Sequence, residues 1–196
     1  MHSLIETIIA FGYVAIFITV FAESGFLLGF FLPGESMLFT VGILASQGYF
    51  NIWILVPMTI IAAILGDSFG YWTGKYFGPR LFNRPDSFFF KQEYVTKTEN
   101  FYKKYGPKTI ILARFVPIVR TFAPIMAGVG KMEYKIFIRN NVVGAFIWAG
   151  GFLLISYYIG SIIPGIEKYL TPIILGIIFL SLLPIVYEYV IHKKKG

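Results

Sequence analysis

Cysteine is absent from this chain of 196 residues, and histidine occurs only at His2 and His192, near the two ends. The first absence excludes disulfides, thiolate metal sites and a cysteine nucleophile. The second leaves almost no room for histidine chemistry. Charge is scarce as well: Asp, Glu, Lys and Arg make up 14% of the residues, against about 25% in an ordinary soluble domain. Hydrophobic residues reach 57% and the mean hydropathy is +0.72. A cytosolic globule is excluded on these grounds, and the chain reads as an integral membrane protein. Aromatic residues, with 21 Phe and 13 Tyr, suit lipid contact and interfacial belts.

The net charge of +7 is unevenly placed. Lys75 to Arg139 holds 13 of the 17 basic residues against four acids, Asp86, Glu93, Glu99 and Glu133, a local charge of +9. So tight a localisation in an apolar chain argues against nucleic acid and for one basic membrane face. The first apolar run, Leu4 to Ala22, lacks a basic leader and a small-residue cleavage site, so it is expected to stay in the mature chain.

Six apolar stretches stand out: Leu4 to Ala22, Phe26 to Ser46, Ile52 to Tyr71, Thr109 to Val129, Asn141 to Ile163 and Leu170 to Ile191. A helix crossing a hydrocarbon core of roughly 30 Å needs about 20 apolar residues, which all six approach. Two are interrupted, Phe26 to Ser46 by Pro33-Gly34 and Thr109 to Val129 by Pro117 and Pro124. Proline removes a helical donor and clashes with the preceding turn, so each half is expected to span about 8 to 12 residues, half a membrane at 1.5 Å rise.

Charge placement gives these two a direction. Lys75 to Lys108 carries eight basic residues, Lys131 to Arg139 three, and Lys193 to Lys195 forms a basic tail; the positive-inside rule places all three in the cytoplasm. Thr109 to Val129, basic on both flanks, should then enter and leave from inside. Phe26 to Ser46, flanked by Ser24-Gly25 and Gln47 to Asn51, should dip in from outside. The expected fold is therefore all-α: about four transmembrane helices and two opposed re-entrant hairpins, over residues 26–46 and 109–129, with both termini cytoplasmic. Hairpin followed by span occurs twice in opposite orientation, a candidate inverted repeat of the kind that builds midplane sites from broken helices. In the basic loop, Tyr94, Val95, Thr98, Phe101, Tyr102 and Tyr105 recur at helical spacing. They predict an amphipathic cytoplasmic helix, lying on the anionic leaflet or packed under the bundle.

Five ionisable residues fall within or beside the apolar stretches: Glu23, Glu35, Asp67, Arg114 and Arg120. A charge at the centre of a membrane helix costs about 2.5 to 3.5 kcal/mol even on the lenient insertion scale, so such groups are functional candidates by default. Glu35 and Arg120 follow the hairpin prolines, in Pro33-Gly34-Glu35 and Pro117-Ile118-Val119-Arg120, where a half-helix leaves backbone groups free. Hairpins meeting tip to tip would set the acids of one against the arginines of the other. Plainer alternatives exist. Glu23 and Arg114 sit near expected boundaries and could snorkel to the headgroups. Gly66, Gly70 and Gly74, at i, i+4 and i+8, make a smooth face for close helix packing. Asp67 could simply bond a neighbouring helix, and it ranks below the other four. Those four could instead form a structural network that supports folding alone.

Several motifs together resemble one family. They are Phe21-Ala22-Glu23; Phe31-Leu32-Pro33-Gly34-Glu35; Gly66-Asp67-x-x-Gly70-Tyr71-x-x-Gly74; Arg114-Phe115-x-Pro117-x-x-Arg120-Thr121-x-x-Pro124-x-x-Ala127-Gly128; and Asn141-x-x-Gly144-Ala145-x-x-Trp148. Running from residue 21 to 148, they closely resemble the DedA family, and the chain length fits one such membrane domain over 1–196. The resemblance implies opposed re-entrant hairpins among transmembrane helices, an essential acidic pair at Glu23 and Glu35, and an essential arginine pair at Arg114 and Arg120. Pro33, Gly34, Asp67, Pro117, Thr121 and Asn141 support that centre as motif residues. The resemblance also implies lipid movement across the bacterial inner membrane, foremost recycling of undecaprenyl phosphate. Some members are linked to phosphatidylethanolamine, and eukaryotic relatives are scramblases.

The residues agree with an anionic lipid, since arginine offers bidentate donors matched to phosphate. The expected partners are a polyprenyl phosphate or phospholipid, protons and the bilayer, with no cofactor and no metal; assembly of several copies is compatible. Moving a phosphate inward against an inside-negative potential costs about 2.3 kcal/mol per charge per 100 mV, which protons on Glu23 and Glu35 would offset. A membrane phosphatase is the main enzymatic rival, but neither histidine is suitably placed as a nucleophile. Pro33-Gly34-Glu35-Ser36 superficially resembles the phosphatase pattern P-G-x-S-R-S, yet Met37 and Leu38 follow the serine. A proton-coupled ion or drug exporter and a purely structural helper remain as further alternatives.

Overall fold

The computed structural model describes residues 2–26, 34–82, 102, 104–163 and 165, and among these every regular element is helical. They are α1 (His2–Gly25), α2 (Gly34–Ser46), α3 (Ile52–Phe82), α4 (Thr109–Ala113), α5 (Pro117–Val129), α6 (Tyr134–Ala145), a π-helical turn (Phe146–Gly150) and α7 (Gly151–Ile162). Two continuous helices are long and apolar enough to cross a membrane, Ile52–Gly78 and Tyr134–Ile162, and three shorter apolar ones are Ile9–Gly25, Gly34–Ser46 and Val119–Val129. The expected span 170–191, the basic tail and most of the amphipathic segment 94–105 lie outside the described residues, as does Pro33.

Both long helices run beyond their apolar cores, to Phe82 in one case and back to Tyr134 in the other. Helical backbone bonding is indifferent to side-chain polarity, so a hydrophobic boundary does not end a helix. The added turns carry Lys75, Lys135 and Arg139, all exposed. Lys75 lies over the ring of Trp72 at 4.9 Å, and Trp72 stacks on Tyr76 at 5.5 Å, the amphipathic side chains expected where apolar and aqueous surroundings meet. At the other end of α3, the Asn51 side chain accepts from the Trp53 N–H at 2.9 Å and caps the helix.

The segment 109–129 breaks once rather than twice. Val116 is extended (φ −118°, ψ 108°), as the residue before a proline must be, and Pro117 then starts α5, where its missing N–H costs nothing. Pro124, expected to interrupt the segment, instead lies inside the 13-residue α5. It removes the one helical donor to the Arg120 carbonyl, and the pairs on either side carry the helix through. The arm before the break, α4, has only five residues, fewer than the sequence leads one to expect, whereas α2 and α5 have 13 each.

Packing follows small residues. A methyl added at Gly74 would stand 2.0 Å from the Ile125 carbonyl oxygen, and one at Gly128 2.0 Å from that of Tyr71, so α3 and α5 touch backbone to backbone. Gly66 faces α1 in the same way, 2.5 Å from the Phe21 carbonyl. The glycine stripe of α3 is thus a packing face, tight at Gly66 and Gly74 and ordinary at Gly70. On the other side, α2 meets α7 through Gly42 against Ser156 and Ser46 against Gly160. Two apolar clusters result. One gathers Val20, Leu38, Leu55, Ala62 and Leu153 around Trp148; the other gathers Tyr71, Ile110, Ala127 and Phe137. The Tyr71 hydroxyl donates to the Met132 carbonyl, and that of Tyr102 to the Ala123 carbonyl at 2.9 Å. Burial raises the Tyr102 pKa well above its ordinary value, so this donor stays protonated. Along both long helices the buried residues Asp67 and Asn141 lie between the two clusters. About 22 Å of helix separates Ile52 from Asp67, and about 16 Å separates Asp67 from Gly78.

Candidate functional site

The break before α5 and the start of α2 converge on this polar layer, and four of its side chains form one linked group. Glu23, on the last turn of α1, is 1% exposed and accepts from Arg120 Nη2. Its carboxylate occupies the space beside Gly34: a methyl there would stand 1.3 Å from Glu23 Oε2, so only glycine leaves room for it. Glu35, in the first turn of α2, reaches Arg120 Nη1 at 3.4 Å and keeps 19% of its side chain exposed. Arg120, in the first turn of α5, therefore lies between two carboxylates. Its guanidinium also sits over the Trp148 ring, with Cζ 4.6 Å from the centroid.

Arg114 forms a second, adjoining group. It occupies the helix break itself, 1% exposed, and its Nη2 donates to both Asp67 Oδ2 and Asn141 Oδ1. Asn141 is oriented in turn by its Nδ2, which donates to the Ile64 carbonyl at 3.1 Å. Gly144 makes space for the arginine stem, since a methyl there would stand 2.8 Å from Arg114 Cδ.

The acid and arginine pairs do not simply face each other. Arg120 takes both glutamates, while Arg114 is held by Asp67, the acid ranked lowest from sequence. Glu23 and Arg114 are both fully enclosed, which rules out the snorkelling alternative for each. Among the supporting residues, Gly34 forms the seat of Glu23, Pro117 opens α5, Thr121 is fully buried on α5 and Asn141 bonds Arg114. Trp148 joins the group as well: its seven-residue spacing from Asn141 places both on one helix face, but that spacing alone does not show a ring beneath a guanidinium.

Three carboxylates and two guanidiniums give the site a formal charge of −1 when all are ionised. Several buried polar atoms have no partner among the described residues: Arg114 Nε and Nη1, Arg120 Nε, Trp148 Nε1, Glu23 Oε2 and Asp67 Oδ1. Unpartnered groups at this density are unusual in a folded interior and mark a place where a ligand, water or proton completes the bonding. Two helix N-termini, those of α2 and α5, add free backbone amides and positive dipole ends. The donors suit an oxyanion, and the surplus carboxylate suits a proton.

Comparison with known proteins agrees with the architecture. The VTT domain family matches residues 32–161. Protein DedA of Escherichia coli K12 is 46% identical over 184 residues, covering 93% of this chain and 84% of that protein. An uncharacterized membrane protein of Mycobacterium tuberculosis H37Rv is 47% identical over 171 residues, covering 86% of this chain and 74% of the relative. One of Bacillus subtilis is 30% identical over 162 residues, covering 82% and 98%. No solved structure matches the chain at a significant level. With a family match over most of its length and relatives this similar, the chain belongs to the VTT-domain, or DedA, family of membrane proteins.

Proposed function

We propose that this protein moves a phosphate-bearing lipid, foremost undecaprenyl phosphate, from the outer to the inner leaflet of the bacterial inner membrane, and that protons drive the step without any hydrolysis. The observation that carries the reading is the buried pair Arg114 and Arg120, with donors to spare, surrounded by three carboxylates. A phosphate entering the fully ionised site would meet a formal charge of −1. Protonation of Glu23 and Glu35 frees Arg120 and reverses that sign, so anion binding and proton uptake go together. The proton thus lowers the cost of carrying negative charge toward a negative interior.

The matching topology has α2 and α5 as half-membrane helices, each about 20 Å long at 13 residues, opening to opposite sides. Support comes from the cross-packing, since α2 lies on α7 and α5 on α3, each half-helix against the long helix of the other half. The exposed cations Lys75, Lys108, Lys131, Lys135 and Arg139 support assigning their end to the cytoplasm by the positive-inside rule. With no native cysteine to interfere, Tyr49→Cys, at a position 61% exposed, is expected to react with an impermeant thiol reagent outside intact cells, and Glu133→Cys is not. Labelling of position 133 from outside would overturn the re-entrant assignment of 109–129.

The functional test is transport in proteoliposomes. Undecaprenyl phosphate placed in one leaflet should become accessible from the other only with active protein, and faster under an inward pH gradient. Glu23→Gln and Glu35→Gln should each leave folded protein whose transport has lost its pH dependence. Unchanged pH dependence in both would remove the proton role. Movement of phosphatidylethanolamine but not of undecaprenyl phosphate would reassign the cargo. Transport of neither lipid would favour the ion or drug exporter, and released inorganic phosphate would make the protein an enzyme.

A further inference from the structure

Arg120 has two kinds of partner, and they respond differently to protons. Around it stand the charged groups of every packed element: Glu23 from α1, Glu35 from α2, Asp67 from α3 and Arg114 from the break before α5. The carboxylates release the guanidinium once protonated, because the attraction is to their charge. The face of an indole attracts a cation through its quadrupole and cannot be protonated in this range. Trp148 supplies that face. It is 1% exposed, packed among Leu38, Ala63 and Leu153, and its ring centroid lies 4.6 Å from Arg120 Cζ. Its Nε1–H has no acceptor among the described residues.

The backbone singles out the same residue. Trp148 is the middle residue of the π-helical turn Phe146–Gly150, which interrupts an otherwise regular α-helical path from Tyr134 to Ile162. A π-turn inserts one extra residue into a helix, changes the direction of the side chains beyond it, and is frequent at functional sites. Here the small residues Ala149, Gly150 and Gly151 follow the large ring directly along the helix.

We infer that Trp148 is a positioning residue that holds Arg120 independently of pH. It keeps the guanidinium in place after Glu23 and Glu35 have taken up protons and before a phosphate has replaced them. Without such a holder, an arginine released by its carboxylates would leave its position in the interval when the ligand has to arrive. This inference rests on the phosphate reading of the site, but its central claim, a Trp148–Arg120 coupling that grows as the acids protonate, can be measured without any lipid.

The experiment is a double-mutant cycle on the purified full-length protein in detergent, using Trp148→Leu, Arg120→Met and the double variant. Thermal unfolding is followed at about pH 4, just below the ordinary glutamate pKa of about 4.3, and at about pH 8. Trp148→Leu should lower the melting temperature more at the acid pH, and this pH difference should vanish in the Arg120→Met background. Trp148→Phe, which retains a ring, should show a smaller fall of the same sign, and it carries the comparison if the leucine variant does not fold. An equal loss at both pH values, or a pH difference that persists without Arg120, makes Trp148 a packing residue and overturns the inference.

A second arm separates this inference from the reading beneath it. Dodecyl phosphate binding to the parent protein at the acid pH should weaken about tenfold in Trp148→Leu, the loss expected for a desolvated cation–π contact. If the cycle shows the coupling but dodecyl phosphate fails to bind the parent, the holder role stands and the phosphate reading falls. If dodecyl phosphate binds parent and Trp148→Leu equally, the holder role falls and the phosphate reading stands.

Discussion

Replacing Arg120 with alanine is expected to abolish lipid transport and to lower the yield of folded protein, and adding Glu23→Gln is expected to restore the yield but not the transport. Arg120 joins Glu23, Glu35 and Trp148 at one point. Removing it strands the Glu23 carboxylate, which is enclosed on all sides, and breaking a buried pair from one side costs about 3–5 kcal/mol. Much of that cost belongs to the orphaned charge rather than to the lost bond, so neutralising Glu23 should recover most of it. Transport does not recover, because no fork of donors remains for a phosphate. Arg120→Lys should fold close to normally and still transport at least about tenfold more slowly, since an ammonium keeps the charge but loses the second donor branch and the planar face. Folded yield by size exclusion, melting temperature and proteoliposome transport measured on the same preparations distinguish these outcomes. Parent-like transport by Arg120→Ala would place the headgroup site elsewhere.

Gly128→Ala is expected to be among the most destabilising single added methyls in the bundle. The new carbon would stand 2.0 Å from the Tyr71 carbonyl oxygen and 2.7 Å from the Lys75 nitrogen, both backbone atoms. A side chain can rotate away from such a contact, but two helix backbones can only separate. The cost should therefore meet or exceed the roughly 1–3 kcal/mol of ordinary overpacking. The same separation would move α5, and Arg120 with it, so transport should fall even in the fraction that folds. Gly151→Ala is the control. Nothing lies within 4 Å of its added carbon, and alanine is a better helix former by up to about 1 kcal/mol, so that variant should melt at or above the parent temperature. Equal melting temperatures for Gly128→Ala and the parent would mean that α3 and α5 are not in backbone contact.

Sequence alone determined the class of molecule and where its unusual residues fall. Runs of about 20 apolar residues need no tertiary information to be recognised, because membrane thickness sets their length. Proline before Arg120 announced a helix break, since its ring restricts the residue ahead of it, and Val116 is extended for that reason. The packing role of Gly66 and Gly74 was equally legible from their spacing along one helix face. Motif resemblance extended this to the family, which the comparisons bear out. Pro124 misled because a helix can carry a proline when only one donor is lost, and local sequence does not show whether the surrounding turns will hold.

The pairing of the charges was decided by tertiary structure. Arg120 meets Glu23 across 97 residues and Glu35 across 85, while Arg114 meets Asp67 across 47 and Asn141 across 27. No periodicity relates positions that far apart. Any of the three acids could have served either arginine by charge alone. What selects among them is how closely the helices approach and at what height, and that is set by backbone contacts at Gly74 and Gly128 and by the room that Gly34 and Gly144 leave for the Glu23 and Arg114 side chains. The part of Trp148 is likewise hidden in sequence, because a ring lies under a guanidinium only once a π-turn and a neighbouring half-helix have brought the two together.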